Sequence, residues 1–319
     1  MGVLRDHGFL VVSIVVNAVL AISVYLPYRT GQLSLATPGF FSIGGYVAAA
    51  MSTKLVTTDG PASTFRFLGA DLVTFGTGTY PVGVVLLEML IAAFVCAAVA
   101  VLVGTPAVRL RGIYLALATL AFVELVRVLA LNIDALGGAV GIFNIPQPVR
   151  TQLGYLVLAL PLLAFTILVV ARLERSRHGL VAVALQEDEL AANSMGIMPA
   201  YHKVLWLAIG AALAGSAGVI AAHLTNTWNS RQASFDGGVV LLAFVIVGGS
   251  RRWLGPIAGA VVLTLLPELL RWLGDADGVP RPLAVFLRDG RLIVFGVLLV
   301  LACSYLPHGL IRPRAEDRT

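Results

Sequence analysis

Tyr80–Val103, YPVGVVLLEMLIAAFVCAAVAVLV, decides the fold class of this chain. It carries one charge, Glu88, and is otherwise apolar on every face, which fits neither a surface helix nor an alternating strand. A helix of that length reaches about 36 Å, enough to cross the hydrocarbon core of a bilayer. Runs of the same kind recur at Phe9–Leu26, Gly112–Leu131, Leu153–Ala171, Val204–Ala222, Trp253–Trp272 and Leu292–Leu306. Two more, Gln32–Met51 and Gly237–Gly249, are interrupted or short. With 58% hydrophobic and only 12% charged residues, the chain has little material for a water-facing surface. A backbone in hydrocarbon must satisfy its own hydrogen bonds. The expected fold is therefore all-α, a polytopic transmembrane bundle of roughly eight to ten spans with broken or re-entrant segments. The alternation of an outer-membrane barrel is absent. Connections of at most about thirty residues are too short for an independent core, so residues 1–319 read as one membrane domain.

Several functions lose support. The two cysteines, Cys96 and Cys303, lie inside separate apolar runs, and the five histidines show no ligand spacing, so no metal site is expected. Met1–Leu26 has a basic start and an apolar run but no small-residue cleavage site before Pro27, and reads as a first membrane helix rather than a removed signal. A net charge of +5 fits loop anchoring better than nucleic-acid binding. There is no GxxxxGK[ST] loop, and the lysines are Lys54 and Lys203 alone, neither behind a glycine-rich turn. HExxH and GxSxG are also absent. The chain is expected to be no enzyme and to need no cofactor; energy for active transport would come from another subunit or an ion gradient.

Charges inside the apolar runs are few. Glu124 and Arg127 sit at i,i+3 and can face one another on one helix side, as a gate, a substrate contact or a structural pair. Glu88 and Glu268 lie near run ends, within reach of the interface.

The interrupted segment begins GQLSLATPGFFSIGGYVAAAM at Gly31. Pro38-Gly39 and Gly44-Gly45 break the helix, and Gln32, Ser34, Thr37 and Ser42 put polar groups into it, which suits the wall of a polar cavity. The second segment, Phe235–Gly259, is a short apolar run bounded by glycine pairs. Paired short or glycine-interrupted segments point to a transporter's binding site. The alternative is that the glycines serve close helix packing.

The longest charged stretch is Leu173–Ala200, LERSRHGLVAVALQEDELAANSMGIMPA. Basic residues Arg172, Arg175, Arg177 and His178 close a span, which places the loop 172–203 on the cytoplasmic side. Counting spans from there puts Arg109, Arg111, Arg251 and Arg252 inside, and Ser52–Thr79, Asn132–Gln152 and Trp228–Asp236 outside. Leu180–Met195 can form one short amphipathic helix with an acidic band, Gln186 to Glu189, and Gly196 as its C-cap. Acidic residues would be repelled by an anionic leaflet, so docking to a protein groove is the better reading.

This loop resembles the Glu-Ala-Ala-x3-Gly loop of ABC importer permeases. Ala191-Ala192 and Gly196 match, while Leu190 occupies the glutamate position and Glu189 stands one place early. More specifically, the chain resembles the Liv-type branched-chain amino-acid permeases, in particular the longer of their two permease subunits. GQLSLATPGFFSIGGY follows that family's GQxSLGxxxFxxIGAY, with Ala36 for glycine. Arg109–Arg127, RLRGIYLALATLAFVELVR, also matches. Leu136-Gly137-Gly138, Gly141 and Ile145-Pro146 follow TGGxxGL…IP, with Leu136 for threonine. The resemblance runs in order from about Tyr28 to Gly259.

The resemblance implies a multi-pass permease of the bacterial cytoplasmic (inner) membrane. Its partners would be a homologous second permease subunit, two cytoplasmic ATPase subunits and an extracytoplasmic substrate-binding protein. The implied cargo is branched-chain or other small amino acids; relatives move urea or short amides, and a stand-alone carrier or channel is the other reading. The implied coupling residues are Glu187, Asp188, Glu189, Ala191, Ala192 and Gly196. The candidate substrate path comprises Gln32, Ser34, Thr37, Gly39, Ser42, Gly44, Gly45, Gly137 and Gly138, with Thr225, Asn226 and Ser234 as weaker candidates.

Overall fold

The computed structural model describes residues 8–57, 62–67, 70–76, 80–149, 151–274 and Gly296. In chain order the helices are α1 (Gly8–Arg29), α2 (Thr37–Ala50), α3 (Val82–Ala107), α4 (Ile113–Asn132), α5 (Leu156–Glu174), α6 (Arg177–Glu187), α7 (Glu189–Ser194), α8 (Pro199–Thr225), α9 (Phe235–Gly248) and α10 (Leu254–Gly274). Among the described residues, seven helical segments are long and apolar enough to cross a membrane: α1, α3, α4, α8 and α10, and α5 and α9 together with the 3-10 turns that precede them. The expected helical bundle is present, with α2 as an additional short helix. The apolar run Leu292–Leu306 lies outside the described residues.

Short strands are the departure from an all-helical chain. In the connection between α2 and α3, β1 (Val56–Thr57), β2 (Ala62–Phe67) and β3 (Ala70–Gly76) form an antiparallel sheet in sequential order. A second pairing joins β4 (Ile142–Phe143) to β5 (Thr227–Trp228), with Ile142 opposite Trp228 and Phe143 opposite Thr227.

α8 is the hub. Its span is 72% buried, against 33% for α3 and 28% for α10. Lipid tails are as apolar as leucine, so helices in a bilayer associate by close packing, and α8 presents small residues for it. Gly210 abuts the Ser23 carbonyl of α1, Gly215 lies against Ala92 and Cys96 of α3, and Gly218 meets the Phe41 carbonyl of α2. Helix starts are set by residues that need no intrahelical donor or that supply a cap. Pro38 and Pro199 open α2 and α8, and the Ser234 hydroxyl accepts from Gly237 N at 3.2 Å to cap α9.

The bundle has two distinct ends. At one, Arg29 Nη1 donates to Gln186 Oε1 at 2.8 Å, and Lys203 and Arg111 both reach Glu189. At the other, Gly8 packs on Gln152 and Leu153, and the β4–β5 pairing ties the loop after α4 to the end of α8. α2 and α9 each have 14 residues, about 21 Å, short of a full hydrocarbon crossing. For α2 the missing depth is supplied by residues 31–36, which leave α1 through a turn at Gly31 (φ 75°) and run non-helically into the bundle.

Candidate functional site

The charged loop forms two helices rather than one. α6 ends at Glu187, Asp188 is extended (φ −151°, ψ 107°), and its carboxylate accepts from Leu190 N at 2.8 Å and Ala191 N at 3.1 Å. An aspartate that can bond to backbone donors two and three residues ahead competes with helix continuation, so it divides the run and starts α7. α7 stops at a full Schellman turn: Gly196 has φ 84°, its N–H donates to Asn193 O at 3.0 Å, and Ile197 N–H donates to Ala192 O at 3.2 Å. Gly196 therefore takes the left-handed position that ends the helix, one residue beyond the cap Met195.

The three consecutive acids Glu187, Asp188 and Glu189 have three different situations. Glu189 Oε2 is 2.9 Å from Lys203 Nζ and 3.7 Å from Arg111, which pins α7 to α8 and to the segment before α4. Asp188 is spent on the cap. Glu187 is exposed and has no ion pair or side-chain hydrogen bond among the described residues. Ala192 is buried under α7, whereas Ala191 and Gly196 are exposed. Around them Leu180, Leu190, Met195 and Met198 project as large exposed apolar side chains. The result is an apolar surface on a braced two-helix element, with one free carboxylate at the break.

The interrupted segments meet inside the bundle. A Cβ placed on Gly238 of α9 would lie 3.5 Å from the Leu35 carbonyl oxygen and 3.6 Å from Pro38 Cγ, so the amino ends of α2 and α9 abut. Ser42, one helical turn beyond Pro38 on the same face, is fully buried with its hydroxyl unpartnered among the described residues, as is the Tyr46 hydroxyl. Thr37 Oγ1 lies 3.5 Å from Ser23 Oγ. Gln32 lies elsewhere. The Gln32 amide donates to Thr30 Oγ1 (2.7 Å) and to Lys203 O (3.0 Å), at the end of the bundle that holds the charged loop. Ser34 Oγ accepts from Ala36 N at 3.4 Å.

The glycines divide by task. Gly39 faces the Phe122 ring, Gly44 the Gly215 backbone and Gly45 the Trp228 indole, whose Nε1 donates to Ser42 O at 3.0 Å. Gly137 and Gly138 turn the loop after α4 at φ 82° and 55°. This loop lies at the far end, where Gly141 packs on the Trp228 carbonyl and Ile145 N donates to Asn226 O at 3.2 Å. Thr225 Oγ1 donates to Thr227 O at 2.8 Å, and Ser234 serves as the α9 cap.

Glu124 and Arg127 form an ion pair at 3.5 Å on the outer face of α4, with side chains 41% and 44% exposed. Leu117, Leu125 and Val128 are exposed on the same helix.

The pair that sequence reading missed is Glu88 with His223. Glu88 is buried within the protein: both side chains are 0% exposed, and His223 Nε2 lies 2.6 Å from Glu88 Oε2. His223 Nδ1 is 2.7 Å from Pro146 O, which can only accept, so Nδ1 carries a proton. The Tyr80 hydroxyl donates to Glu88 Oε1. The chain α3–His223–Pro146 thus latches the loop before α5 to the bundle. Glu88 and His223 are 135 residues apart in sequence, and no local spacing announces the pair.

Comparison with known proteins supplies the remaining observations. The chain is 28% identical over 334 aligned residues to the "High-affinity branched-chain amino acid transport system permease protein LivM" of Salmonella typhimurium (strain LT2), covering 95% of this chain and 67% of that protein. The LivM protein of Escherichia coli (strain K12) matches with the same identity and coverage. No solved structure gives a significant match. Residues 8–303 match the family model described as "Branched-chain amino acid transport system / permease component", which takes in every helix described above. The chain belongs to the family of permease components of branched-chain amino acid transport systems.

Proposed function

We propose that this chain forms half of the translocation path of an ABC importer for branched-chain or other small amino acids. In this reading it sits in the bacterial cytoplasmic membrane beside a homologous permease, two ATPase subunits and an extracytoplasmic binding protein. The observation that carries the reading is the α6–α7 element. Glu189 fixes it to Lys203 and Arg111, Arg29 holds Gln186, and Leu180, Leu190 and Met195 remain exposed. Such an element can transmit a push from an ATPase cleft without bending. The loop is then cytoplasmic, and α1 begins on the opposite side.

The substrate would pass where the amino ends of α2 and α9 abut. Two helix amino termini supply partial positive charge for a carboxylate, and the unpartnered Ser42 hydroxyl lies one turn away. Thr37 and Ser42 are the residues with which the path is tested. Gly137 and Gly138 shape the far-end loop, where a binding protein would deliver its cargo.

The test is reconstitution with the companion permease, ATPases and binding protein, assayed for uptake of leucine, valine, urea and short amides. Uptake that needs ATP and all subunits is expected, and Ser42→Leu should lower it while leaving assembly intact. Flux through the chain alone, without ATP, would refute the importer reading. Preference for urea or amides over leucine would replace the amino-acid assignment.

A further inference from the structure

The outer face of α5 bears a groove that neither the coupling element nor the candidate path uses. Its volume is about 660 Å³. Ala164, Ile167, Leu168 and Ala171 form an apolar track, and Arg172 and Arg175 crown it. These positions repeat at three and four residues, so they share one helix face. From the first of them to Arg175 the track rises about 17 Å, the depth of one leaflet's hydrocarbon with its headgroup boundary.

The two guanidinium groups at the crown are exposed, and neither has an ion pair among the described residues. The nearest acid in sequence, Glu174, is turned away: it accepts from the Tyr25 hydroxyl at 2.5 Å and lies within electrostatic reach of Arg29 and Arg252. Two adjacent cations without a counter-ion, directly above an apolar track, are complementary to a molecule with an anionic head and a hydrocarbon tail. A zwitterionic lipid carries its own ammonium to the same place and leaves the crown uncompensated.

We infer that this groove binds one anionic phospholipid, its phosphate between Arg172 and Arg175 and an acyl chain along Ala164–Ala171. Only the assignment to the cytoplasmic leaflet rests on the function proposed above. Ser176, whose hydroxyl accepts from His178 N at 3.2 Å to start α6, also lines the groove. The headgroup therefore sits at the joint between span and coupling element, and its loss frees that joint.

The experiment is native mass spectrometry of the purified chain after equilibration in nanodiscs of phosphatidylcholine with one-fifth phosphatidylglycerol. One retained phosphatidylglycerol per chain is expected. Arg172→Gln with Arg175→Gln should reduce its retention about thirtyfold, a magnitude set by two basic groups at an anionic surface. Leu168→Trp, which fills the track and keeps both arginines, should do the same. Arg109→Gln removes an exposed arginine outside the groove and should change nothing. Equal retention of the two lipids, or phosphatidylglycerol retention unchanged by the double variant, would overturn the inference. Displacement by millimolar inorganic phosphate would overturn it too, because it would mark a simple anion site. The assay uses no partner subunit, so lipid retention in a chain that fails to transport would leave the groove assigned and remove only its leaflet.

Discussion

Replacing Glu88 with leucine should unfold the bundle far more easily than replacing it with glutamine. Glu88→Leu leaves His223 Nε2 and the Tyr80 hydroxyl facing a hydrocarbon side chain, at sites that are 0% and 5% exposed. Each orphaned buried group costs about 1–3 kcal/mol, and removing one member of a buried ionisable pair about 3–5 kcal/mol. Glutamine keeps the shape. Its carbonyl can accept from Tyr80 and its amide can donate to a neutral Nε2, because Nδ1 already carries the proton given to Pro146. Glu88→Gln should therefore cost about 1 kcal/mol or less. Glu88→Leu with His223→Leu should cost less than the sum of the two single leucine changes, because the double variant buries no unpaired partner in the pair. Thermal unfolding in detergent reads the difference: about 4–7 °C for Glu88→Leu, on a scale of about 1.5 °C per kcal/mol for a chain of this size. Equal midpoints for the leucine and glutamine variants would refute the reasoning, since it assigns the latch to hydrogen bonding rather than to volume.

The charged loop separates two charge reversals that look alike in sequence. Glu187→Arg should leave the unfolding midpoint unchanged yet uncouple ATP hydrolysis from uptake in the reconstituted system. Glu189→Lys should lower the midpoint, by about 1–3 kcal/mol of stability, because Lys203 stays largely buried without its partner; identical behaviour of the two variants would contradict the geometry. Gly196→Ala forces an L-residue into φ 84° and should cost about 1 kcal/mol, with Gly196→Asn milder, measured by the same unfolding assay. Gly45→Leu drives a side chain into the Trp228 indole and should destabilise by about 1–3 kcal/mol or more; a wild-type midpoint would show that α2 is not seated as described.

What the chain declares locally was legible, and what depends on distant pairing was not. Apolar runs such as Tyr80–Val103 mark their helices because hydrocarbon leaves the backbone no other partner. Gly196 was legible as a cap because a left-handed turn after a helix selects glycine. Asp188 was misread as one member of an acidic band, since the amphipathic pattern runs on across it and only the side-chain cap reveals the break. The strands after α2 carry a weaker signal, because STFRF alternates while DLVTF sets Leu72 beside Val73. Gln32 and Ser42 are near in sequence, but the fold puts the first beside Lys203 and the second beyond the α2–α9 junction. Gly44 and Gly45 fit the close-packing alternative weighed for that segment. The Glu88–His223 pair has no signature at any short spacing.

The packing of α2 on α8 has a mechanical consequence. Gly44 and Gly215, and Phe41 and Gly218, bring main chain against main chain, with no intervening side chain able to change rotamer. A contact of that kind has one register: sliding by a single residue would set a neighbour's Cβ where only hydrogen fits. α2 and α8 therefore move as one block, and Gly210 against the Ser23 carbonyl and Gly215 against the Ala92 carbonyl tie α1 and α3 to it. Gly248, Gly255 and Gly259 make the same kind of main-chain contact between α9 and α10, so those two helices form a second pair that keeps its register.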